Sequence, residues 1–595
     1  MALTIITTPR RIRRFLTYDL EWVPGEMKLR VCGVYDGMEY RHYYSIADFL
    51  ANEMTSKNRG AWFFAHAGGL ADVQFVFEEL CKSDSYRVAA SFSGSSAIIV
   101  TVTRGKNCWH FVDSFWLLRA PLSEIAKWIG SEKTGPDKEI EPEKVKEWYA
   151  NIDMATLVKY NEQDCWILWH AIHELQCALL SFGGQLQRTL ASCAMHLFRR
   201  CYLSSPVGTS EFINDVAREA YFASRVEDFN NHASNCYYFD VNSSFPYAMT
   251  FPAPGEYICE LPRLPDHYVG NPNRIYMANV DLEVHDCYLP PVPVRVQERV
   301  FFPMGRWKGW LSSVDLELAV AEGARIHGIE KVIAFEPFHD LASYAKDLYA
   351  KRKAAGTEFE KQTYKLLLNS LYGKFAEFPL KEKLHIHPNE TTLARVQRSM
   401  QGENPTARML FPGAFLESVA VPIPHCHVPI SVHITSIARR TLYNFLCQAG
   451  TFHYCDTDGF SATEMLETSS ELGGLKLEKK IKDAKFIAPK VYRIDGQVLN
   501  KKGEWEDTTY VKAKGFSLGR NKAKAIERFE TLLQGREISV ERMQRVRELF
   551  KNGVCAPTEK VIWKALRGTM TTKRLHYPDG TTRPWTYEEL KGLLK

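Results

Sequence analysis

The sequence lacks any pair of cysteines with the Cys-x-x-Cys spacing, although it contains 14 cysteines among its 595 residues. Zinc ribbons need such pairs in both halves of the site, and small disulfide-stabilised domains need a dense cysteine framework. Scattered single cysteines instead suit a reducing compartment. The best remaining group of soft metal ligands is His425-Cys426-His427 with His385 and His387. Because this group has no second Cys-x-x-Cys-like half, we interpret it as structural.

Long apolar segments are missing as well. No run approaches the roughly 20 apolar residues of a membrane-spanning helix. Residues 1–14 contain four arginines but no apolar core of the length found in signal peptides. Internal repeats and low-complexity tracts are not evident. These absences argue against membrane proteins, secreted precursors and repeat arrays, and we expect a cytoplasmic protein without a membrane partner.

Neither sign of charge is in large excess. The 75 lysines and arginines and 70 acidic residues give a formal net charge of +5. Such a balance hides any separation of basic from acidic surfaces, so it allows a polyanionic partner without demonstrating one. A chain of this length with 45% hydrophobic residues predicts several domains with ordinary soluble cores.

Three segments combine carboxylates with a basic helix. Asp240 lies where the β-prone run 237–241 ends, and Asp456 and Asp458 lie in a turn between two β-prone runs. Nucleotide transfer by two metal ions needs carboxylates from separate strands, with the ions roughly 3.5–4 Å apart. It also needs a cation for the triphosphate, which residues 365–373 (KLLLNSLYG) offer. An Asp-x-Asp turn is common by itself, but the three segments together predict a nucleotidyl-transfer site.

The middle segment is consistent with one functional helix face. Lys361, Lys365, Asn369 and Tyr372 are spaced by four, four and three residues, which places them on one side of a helix. An apolar row at 367, 371 and 375 lies about 200° round from them. One face can therefore pack while the other contacts a nucleotide. The same pattern is also typical of an ordinary amphipathic helix with a solvated basic face.

These segments resemble the signature of family B DNA polymerases, in which motifs A, B and C read DxxSLYP, KxxxNSxYG and YxDTD. Motifs B and C match fully. Motif A departs at Ser244 and Phe245, where leucine and tyrosine are usual, and Phe245 keeps the ring with which the family excludes ribonucleotides. The segment 310–318 (WLSSVDLEL) is similar to an insertion of the protein-primed, phi29-like subgroup.

The resemblance implies a role for each matching residue. The metal ligands of the polymerase site are expected to be Asp240, Val241 and Asp458, with Asp456 in a supporting catalytic role. The residues expected to bind the incoming nucleotide are Ser243, Phe245, Lys361, Lys365, Asn369 and Tyr372. The residues expected to contact DNA are Tyr221, Ser370, Gly373, Lys490 and Tyr492. The last two, taken as alternate residues of one strand, would face the primer together.

A second set of motifs resembles the family's 3′→5′ proofreading exonuclease. Its catalytic residues would be Asp19, Glu21, Asp72, Tyr160 and Asp164. Asp19, Glu21 and Asp164 are the expected metal ligands, and the Tyr160 hydroxyl, one helical turn before Asp164, would orient the attacking water. The second motif departs from the family because Ala67 and Ala71 replace the asparagine and aromatic residue that grip single-stranded DNA. We expect the chemistry to persist with an altered grip on the substrate.

The predicted architecture is a multidomain α/β and α+β protein. A ribonuclease H-like exonuclease domain (1–188) would precede a right-hand polymerase domain with two insertions. Its parts would be palm (189–250), a first insertion (251–340), fingers (341–376), a second insertion (377–428), palm again (429–524), then thumb and C-terminal extension (525–595). Within these, we expect a solvated loop over 132–147 and little helix in the proline-rich 377–428.

The resemblance implies a DNA-directed DNA polymerase with a 3′→5′ exonuclease. Its cofactors would be two Mg²⁺ ions per site, with Mn²⁺ as a substitute, and its partners primer-template DNA, single-stranded DNA and dNTPs. We expect a monomer primed by a terminal protein, serving a phage or linear element in a bacterial host. The alternatives are a conventionally primed family B enzyme and a nucleic-acid-binding exonuclease with an inactive polymerase half. A reverse transcriptase fits the N-terminal motifs poorly.

Overall fold

A computed structural model describes residues 2–93, 96–135, 142–265, 268, 271, 273–500, 503–519, 521–545, 548, 556–566 and 573–593. Within these residues no helix is long and apolar enough to cross a membrane. The cysteines in this part of the chain are free thiols. His385, His425 and His427 each bond a different oxygen, on Glu417, Glu377 and Gly255 respectively.

The N-terminal region folds around a mixed sheet. The strands of that sheet are β2 (Phe15–Val23), β3 (Lys28–Tyr35), β4 (Tyr40–Tyr43), β5 (Trp62–Ala65), β6 (Arg87–Ser93), β7 (Ser96–Arg104) and β8 (Asn107–Asp113), while the short β1 (Ala2–Leu3) lies outside it. Its helices are α1 (Ile46–Glu53), α2 (Asp72–Cys81), α3 (Leu122–Trp128), α4 (Pro142–Asn151) and α5 (Met154–Ser181). Leu16, Tyr18 and Leu20 alternate into one core, so the intervening side chains of β2 face α5.

Part of the expected solvated loop is helical. Residues 142–147 belong to α4, and Lys133 lies against Asp164 and Tyr160 instead of in solvent. The prediction of a loop is therefore confirmed over 132–135 and wrong over 142–147, and 136–141 lie outside the described residues. Pro142 begins the helix, which is the position where a proline costs no hydrogen bond.

The central region contains a seven-stranded sheet. Its elements are α6 (Leu190–Cys201), β9 (Val207–Gly208), α7 (Glu211–Glu219), β10 (Val226–Asp228), β11 (His232–Val241) and α8 (Ser244–Ala248). After both insertions the chain returns as α13 (Val428–Ala449), β21 (Phe452–Asp456), β22 (Gly459–Ala462), β23 (Leu475–Ala488), β24 (Val491–Leu499) and β25 (Trp505–Ala513). The strand order β10-β21-β22-β11-β23-β24-β25 puts the strand before Asp240 beside the hairpin of Asp456 and Asp458.

The first insertion is a separate four-stranded sheet. It contains β12 (Ala253–Leu261), β13 (Ile275–Val284), β14 (Val294–Val296), β15 (Arg299–Phe301), β16 (Gly305–Ser312), α9 (Ser313–Ala321) and β17 (Arg325–Phe338). Four of these strands pair in the order β12-β17-β13-β16. Asp315 of the 310–318 segment is buried and forms an ion pair of 2.7 Å with Arg439 of α13. This pair ties the insertion to the central region.

The second insertion follows two helices, α10 (Asp340–Ala354) and α11 (Glu358–Ser370). It contains β18 (Leu380–Ile386), α12 (Glu390–Ser399), β19 (Ala407–Phe411) and β20 (Ala414–Ala420). The expectation of little helix overlooked α12, whose N-cap is Asn389. The strand β20 pairs with both β19 and β18, and β18 also pairs with β6, giving a ten-stranded sheet shared with the N-terminal region.

The C-terminal region contains α14 (Lys522–Leu533), β26 (Ile538–Met543), β27 (Glu559–Lys564), β28 (Leu575–His576), β29 (Thr582–Arg583) and α15 (Tyr587–Leu593). The β26–β27 ribbon is short and two-stranded. The final segment packs on the first insertion, where Tyr587 lies 5.9 Å from the Trp307 ring and Leu590 is fully buried. Residues 573–593 are therefore part of the folded molecule.

Candidate active site

The carboxylates of Asp240 and Asp458 are neighbours at one end of the central sheet. In the β11–β22 ladder Asp240 lies opposite Gly459, and the Val241 N–H donates to the Asp458 carbonyl at 2.9 Å. Burial, then the charge of Asp458, raises the pKa of Asp240 to about 7. Burial, then the charge of Asp456, raises the pKa of Asp458 to about 6. Like charges in a partly buried site favour a bound cation or a proton.

Asp456 has a different environment from its neighbour. Lys490 lies 2.8 Å and Lys512 3.1 Å from its two carboxylate oxygens. Burial alone would raise the pKa of Asp456, but the hydrogen bonds and charges of these lysines lower it below the usual value. Asp456 thus holds two lysines at the hairpin, whereas Asp240 and Asp458 are available to a metal. The Val241 side chain is buried, which leaves only its backbone carbonyl for the predicted ligand role.

The predicted nucleotide face exists on α11. Lys361, Lys365 and Asn369 are exposed along one side of the helix, while Leu367, Leu371 and Phe375 are buried. Desolvation and the charges of Arg352 and Lys476 lower the pKa of Lys365. These three cations therefore gather beside Asp240. A groove here is lined by Ser243, Arg352, Lys361 and Lys476 among others.

Motifs A and B meet through two aromatic rings. Phe245 and Tyr372 stack with centroids 4.3 Å apart and planes 11° from parallel. Ser243 has a left-handed backbone (φ 51°), and its hydroxyl accepts a hydrogen bond from Arg352 at 3.2 Å. A Cβ added at Gly373 would meet no atom within 4 Å, so the space beside it is open to a ligand. The Ser370 hydroxyl instead donates to the Leu366 carbonyl.

Three of the predicted DNA contacts have environments that the sequence did not indicate. Tyr492 is 2% exposed and its ring lies 5.3 Å from the Tyr454 ring, so little of its surface is open to a primer and its predicted contact stays a prediction. Lys490 precedes β24 with φ 64° and does not share a strand face with Tyr492. The error came from treating a turn residue as part of the strand. Tyr221 is half-buried and lies near motif B, because burial, then the neighbouring Tyr221 phenol, raises the pKa of Tyr372.

A second acidic site lies in the N-terminal region. Carboxylate oxygens of Asp19, Glu21 and Asp164 lie within 4.8 Å of one another. Burial raises the pKa of Asp19 and of Asp164 to about 7, and the Oδ1 atom of Asp164 is buried without a hydrogen-bond partner. These three carboxylates suit a divalent cation held by oxygen ligands. Asp72 lies beside them but is not part of the triad, because its Oδ1 accepts from the Leu20 N–H at 3.1 Å.

The altered second motif has an unusual backbone. Ala67 adopts φ 58°, a region that asparagine tolerates better than alanine does. Buried Asp113 accepts hydrogen bonds from the backbone N–H groups of Ala67 and Gly69 and from Phe115 N–H at 2.9 Å. This carboxylate, at the end of β8, fixes the turn that contains Ala67.

Comparisons with known proteins identify the family of the chain. A family model described as DNA polymerase type B, organellar and viral, matches residues 101–418, which is more than half of the chain. The chain belongs to this family. The prediction from the three motifs is thereby confirmed at the level of the family.

Relatives of this type B polymerase family member differ in length. A probable DNA polymerase of Neurospora intermedia is 28% identical over 389 residues, which cover 61% of this chain and 39% of that protein. The DNA-directed DNA polymerase of Enterobacteria phage PRD1 is 25% identical over 512 residues, covering 82% of this chain and 85% of the relative. The chain therefore spans less than half of the fungal relative but most of the phage relative.

Solved structures show the same fold. Phi29 DNA polymerase complexed with primer-template DNA has a TM-score of 0.69 at 20% identity, covering 93% of this chain and 100% of that chain. The likeness confirms the predicted arrangement of an exonuclease domain followed by palm, fingers and thumb. The residue boundaries given above for these domains remain predictions.

Lys133 is a site residue of this type B polymerase that the sequence did not reveal. Its ammonium forms an ion pair with Asp164 and lies 4.4 Å from the centre of the Tyr160 ring. Asn161 was likewise missed, although its amide donates to Asp19 Oδ2 at 3.0 Å. Asn161 adjoins the predicted Tyr160, so position in the motif was a usable signal. Lys133 gave no such signal because it lies in a charged stretch of the chain.

We expect Lys133→Met to slow 3′→5′ degradation about 10²-fold, because a preorganised cation beside the reacting groups is lost. Synthesis should stay near the wild-type rate. The measurement is release of labelled nucleotides from single-stranded DNA. Lys127→Met is the matched control, since Lys127 lines the same groove but has no ion pair with the triad. Equal losses in the two variants would contradict a specific role for Lys133.

A buried ion cluster supports the motif C turn from behind. Glu227 of β10 is 1% exposed, and its carboxylate lies 3.7 Å from Arg225 and 3.8 Å from Arg574 of the C-terminal segment. Arg574 is fully buried and also donates to the Tyr288 carbonyl at 3.0 Å. The Arg225 carbonyl accepts from the N–H of Thr457, the residue between the two motif C aspartates, at 2.9 Å. The C-terminal segment thus contributes to holding that turn.

We expect Glu227→Gln to destabilise the fold by about 3 kcal/mol, because it removes the carboxylate that Arg225 and Arg574 share and leaves both guanidinium groups as buried, poorly compensated charges. Urea unfolding monitored by tryptophan fluorescence measures the change. The double variant Glu227→Gln with Arg574→Met should recover part of the loss, since only Arg225 then remains as a buried charge without its carboxylate. A double variant as unstable as the single one would show that Arg574 acts through packing and not charge.

Proposed function

We propose that this protein is a DNA-directed DNA polymerase with a 3′→5′ exonuclease. The observation that carries the proposal is the pairing of Asp240 with Asp458 beside the cationic face of α11. Uncompensated carboxylates next to a cluster of Lys365, Arg352 and Lys476 suit a metal-bound triphosphate. Few other reactions need paired carboxylates and a cluster of cations at the same end of a sheet.

Each residue then has a task in synthesis. Asp240 and Asp458, with the Val241 carbonyl, would hold divalent cations, of which we propose Mg²⁺ first and Mn²⁺ as a substitute. When bound, such a pair lowers the pKa of the primer hydroxyl and stabilises the leaving pyrophosphate. Lys361 and Lys365 bind phosphates, while Ser243 and Asn369 orient the nucleotide. The stacked rings of Phe245 and Tyr372 form a wall against which the sugar and base lie.

The second site would remove mispaired ends. Asp19, Glu21 and Asp164 hold the cations, Lys133 adds positive charge, and the Tyr160 hydroxyl orients water. A wide groove between this site and the C-terminal region is lined by Phe115, Arg119, Lys524 and Arg528 among others. Its basic and aromatic lining suits a single strand. Asp72 and Asp113 position the backbone around the triad.

The partners we propose are primer-template DNA, single-stranded DNA and dNTPs. Solved relatives of the same fold are titled as phi29 DNA polymerase with primer-template DNA, with single-stranded DNA and with incoming nucleotides. We further propose a monomer that starts on a terminal protein and serves a phage or linear element. The phage relatives and the ordered first insertion, anchored by Asp315 and Arg439, support this choice.

Two assays test the proposal. Extension of an annealed primer with Mg²⁺ and dNTPs should occur, and degradation should appear when dNTPs are omitted. Transfer of one labelled nucleotide to a candidate terminal protein, without a DNA primer, then separates protein priming from conventional priming. Degradation without extension under all metal conditions would favour the alternative of an exonuclease with an inactive polymerase half.

A further inference from the structure

An extended segment near the N-terminus is fixed across the ends of α5 and α6. The buried Gln185 side chain accepts from the Arg11 N–H at 2.9 Å, and buried Gln176 accepts from the Arg13 N–H at 2.8 Å. Gln176 also donates to the Arg13 carbonyl at 3.2 Å. We call residues 10–14 (RRIRR) the arginine strap. Its backbone position is set by the folded domain, so its side chains form a defined surface.

The arginines of this surface are oriented but not neutralised. Arg10 donates to the Leu180 carbonyl, Arg14 to the Lys57 carbonyl, and nearby Arg200 to the Thr8 carbonyl at 2.6 Å. Arg10, Arg11, Arg14 and neighbouring Arg188 are exposed. Over the part of the chain that the structure describes, none of these five has a carboxylate oxygen within 4.0 Å.

The charges of the strap repel one another. Burial, then the charges of Arg11 and Arg188, lowers the pKa of Arg13. The Nε atom of Arg13 is buried without a hydrogen-bond partner, and the guanidinium lies 4.9 Å from the Trp62 ring centre. Arginines from separate segments lie close together here without acidic neighbours among the described residues. An anion that binds this surface would reduce the repulsion between them.

The strap lies away from the triad of Asp19, Glu21 and Asp164. Arg14 precedes β2, and Asp19 follows five residues later, which at about 3.3 Å per residue is roughly 16 Å. The parallel strands β2 and β5 both begin at the strap, whereas Asp72 follows the opposite end of β5. Next to Leu180, Phe182 packs at 4.9 Å against Tyr364 of α11. The strap therefore borders helix α11, which belongs to the predicted fingers.

We propose that the arginine strap, with Arg188 and Arg200, binds the phosphates of DNA ahead of the primer terminus. The inference rests on the proposed function and extends it to a third DNA-binding surface. The guanidinium group of arginine can donate two parallel hydrogen bonds to the oxygens of one phosphate. Several cations along an extended segment also fit the regularly spaced phosphates of DNA better than a compact acidic ligand. Its position beside the fingers assigns it to DNA that has not yet been copied.

The test compares two primer-templates that differ only in the length of the single-stranded template overhang. Binding is measured by fluorescence anisotropy without divalent metal, over a series of salt concentrations. The variant carries Arg10→Gln, Arg11→Gln, Arg14→Gln and Arg188→Gln. The control carries lysine at the same four positions. Wild type should bind the long overhang more tightly and with a steeper salt dependence than the short one.

We expect the glutamine variant to lose the additional affinity and salt dependence that the wild type shows on the long overhang. Its slope of log affinity against log salt on the long overhang should fall by about 0.7 per lost contact, or roughly 3 for four contacts. Its affinity for the long overhang should drop at least about tenfold at moderate salt. The lysine variant should keep the wild-type slope, and all three proteins should bind the short overhang alike.

Two results would overturn the inference. An unchanged slope for the glutamine variant on the long overhang would show that the strap does not bind DNA, as expected if it serves an acidic protein instead. An equal loss on both overhangs would show a general effect on the fold. Extension of the short-overhang primer with Mg²⁺ tests the proposed function separately. The wild type can extend this primer whether or not the strap contributes to the salt dependence of binding.

Discussion

Asp458→Asn should abolish primer extension while degradation of single-stranded DNA continues near the wild-type rate. Asparagine keeps the shape of the side chain but removes the charge that shares a cation with Asp240. Loss of a metal ligand forfeits several kcal/mol of transition-state stabilisation, which corresponds to a rate decrease on the order of 10³-fold or more. The measurement is primer extension with Mg²⁺ and dNTPs under single-turnover conditions.

Asp456→Asn is the matched comparison on the same turn. Asp456 is held by Lys490 and Lys512, so we expect a smaller loss, mainly in affinity for the primer end. Both variants should fold, because neither change creates a cavity. If Asp456→Asn abolished synthesis and Asp458→Asn did not, the assignment of the two aspartates would be reversed.

Much of the fold could be predicted because its elements have strong local signals. The β2 strand, the helix that begins at Asp72 and the motif C hairpin follow from alternation, an acidic helix start and a turn between β-prone runs. The pairing of β18 with β6 could not be predicted in this way. It joins residues almost 300 positions apart, and sequence periodicity does not specify which edge strands meet.

The candidate site shows the same division. Asp240, Asp458 and the α11 face were predictable, because spacing alone puts their side chains at a strand end and on one helix side. The buried state of Tyr492 was not, since an aromatic residue in a strand is equally compatible with a core and with a ligand surface. Arg574 and Lys133 reach their partners from remote segments, so only the folded structure reveals them.

Asp19→Asn should have the opposite effect to Asp458→Asn, removing degradation and leaving synthesis. The Asp19, Glu21 and Asp164 triad loses one of its three charges, and we expect a decrease of about 10³-fold or more in nucleotide release. The assay is degradation of a labelled single strand, with primer extension measured on the same preparation. Loss of both activities would contradict two separate sites.

The same substitution should also stabilise the protein when no divalent metal is present. Burial raises the pKa of Asp19 to about 7, so the folded state binds a proton more tightly than the unfolded state does. The stability from that proton is complete below the unfolded pKa near 4 and is lost as the pH rises through about 7. At pH 8 the wild type therefore holds an unfavourable buried charge that Asp19→Asn lacks, and its melting temperature should be lower than the variant's.

Adding Mg²⁺ should raise the melting temperature of the wild type more than that of the variant, since only the intact triad offers the cation three carboxylates. A melting difference that is the same at pH 5 and pH 8 would show that the carboxylate charge is not its cause.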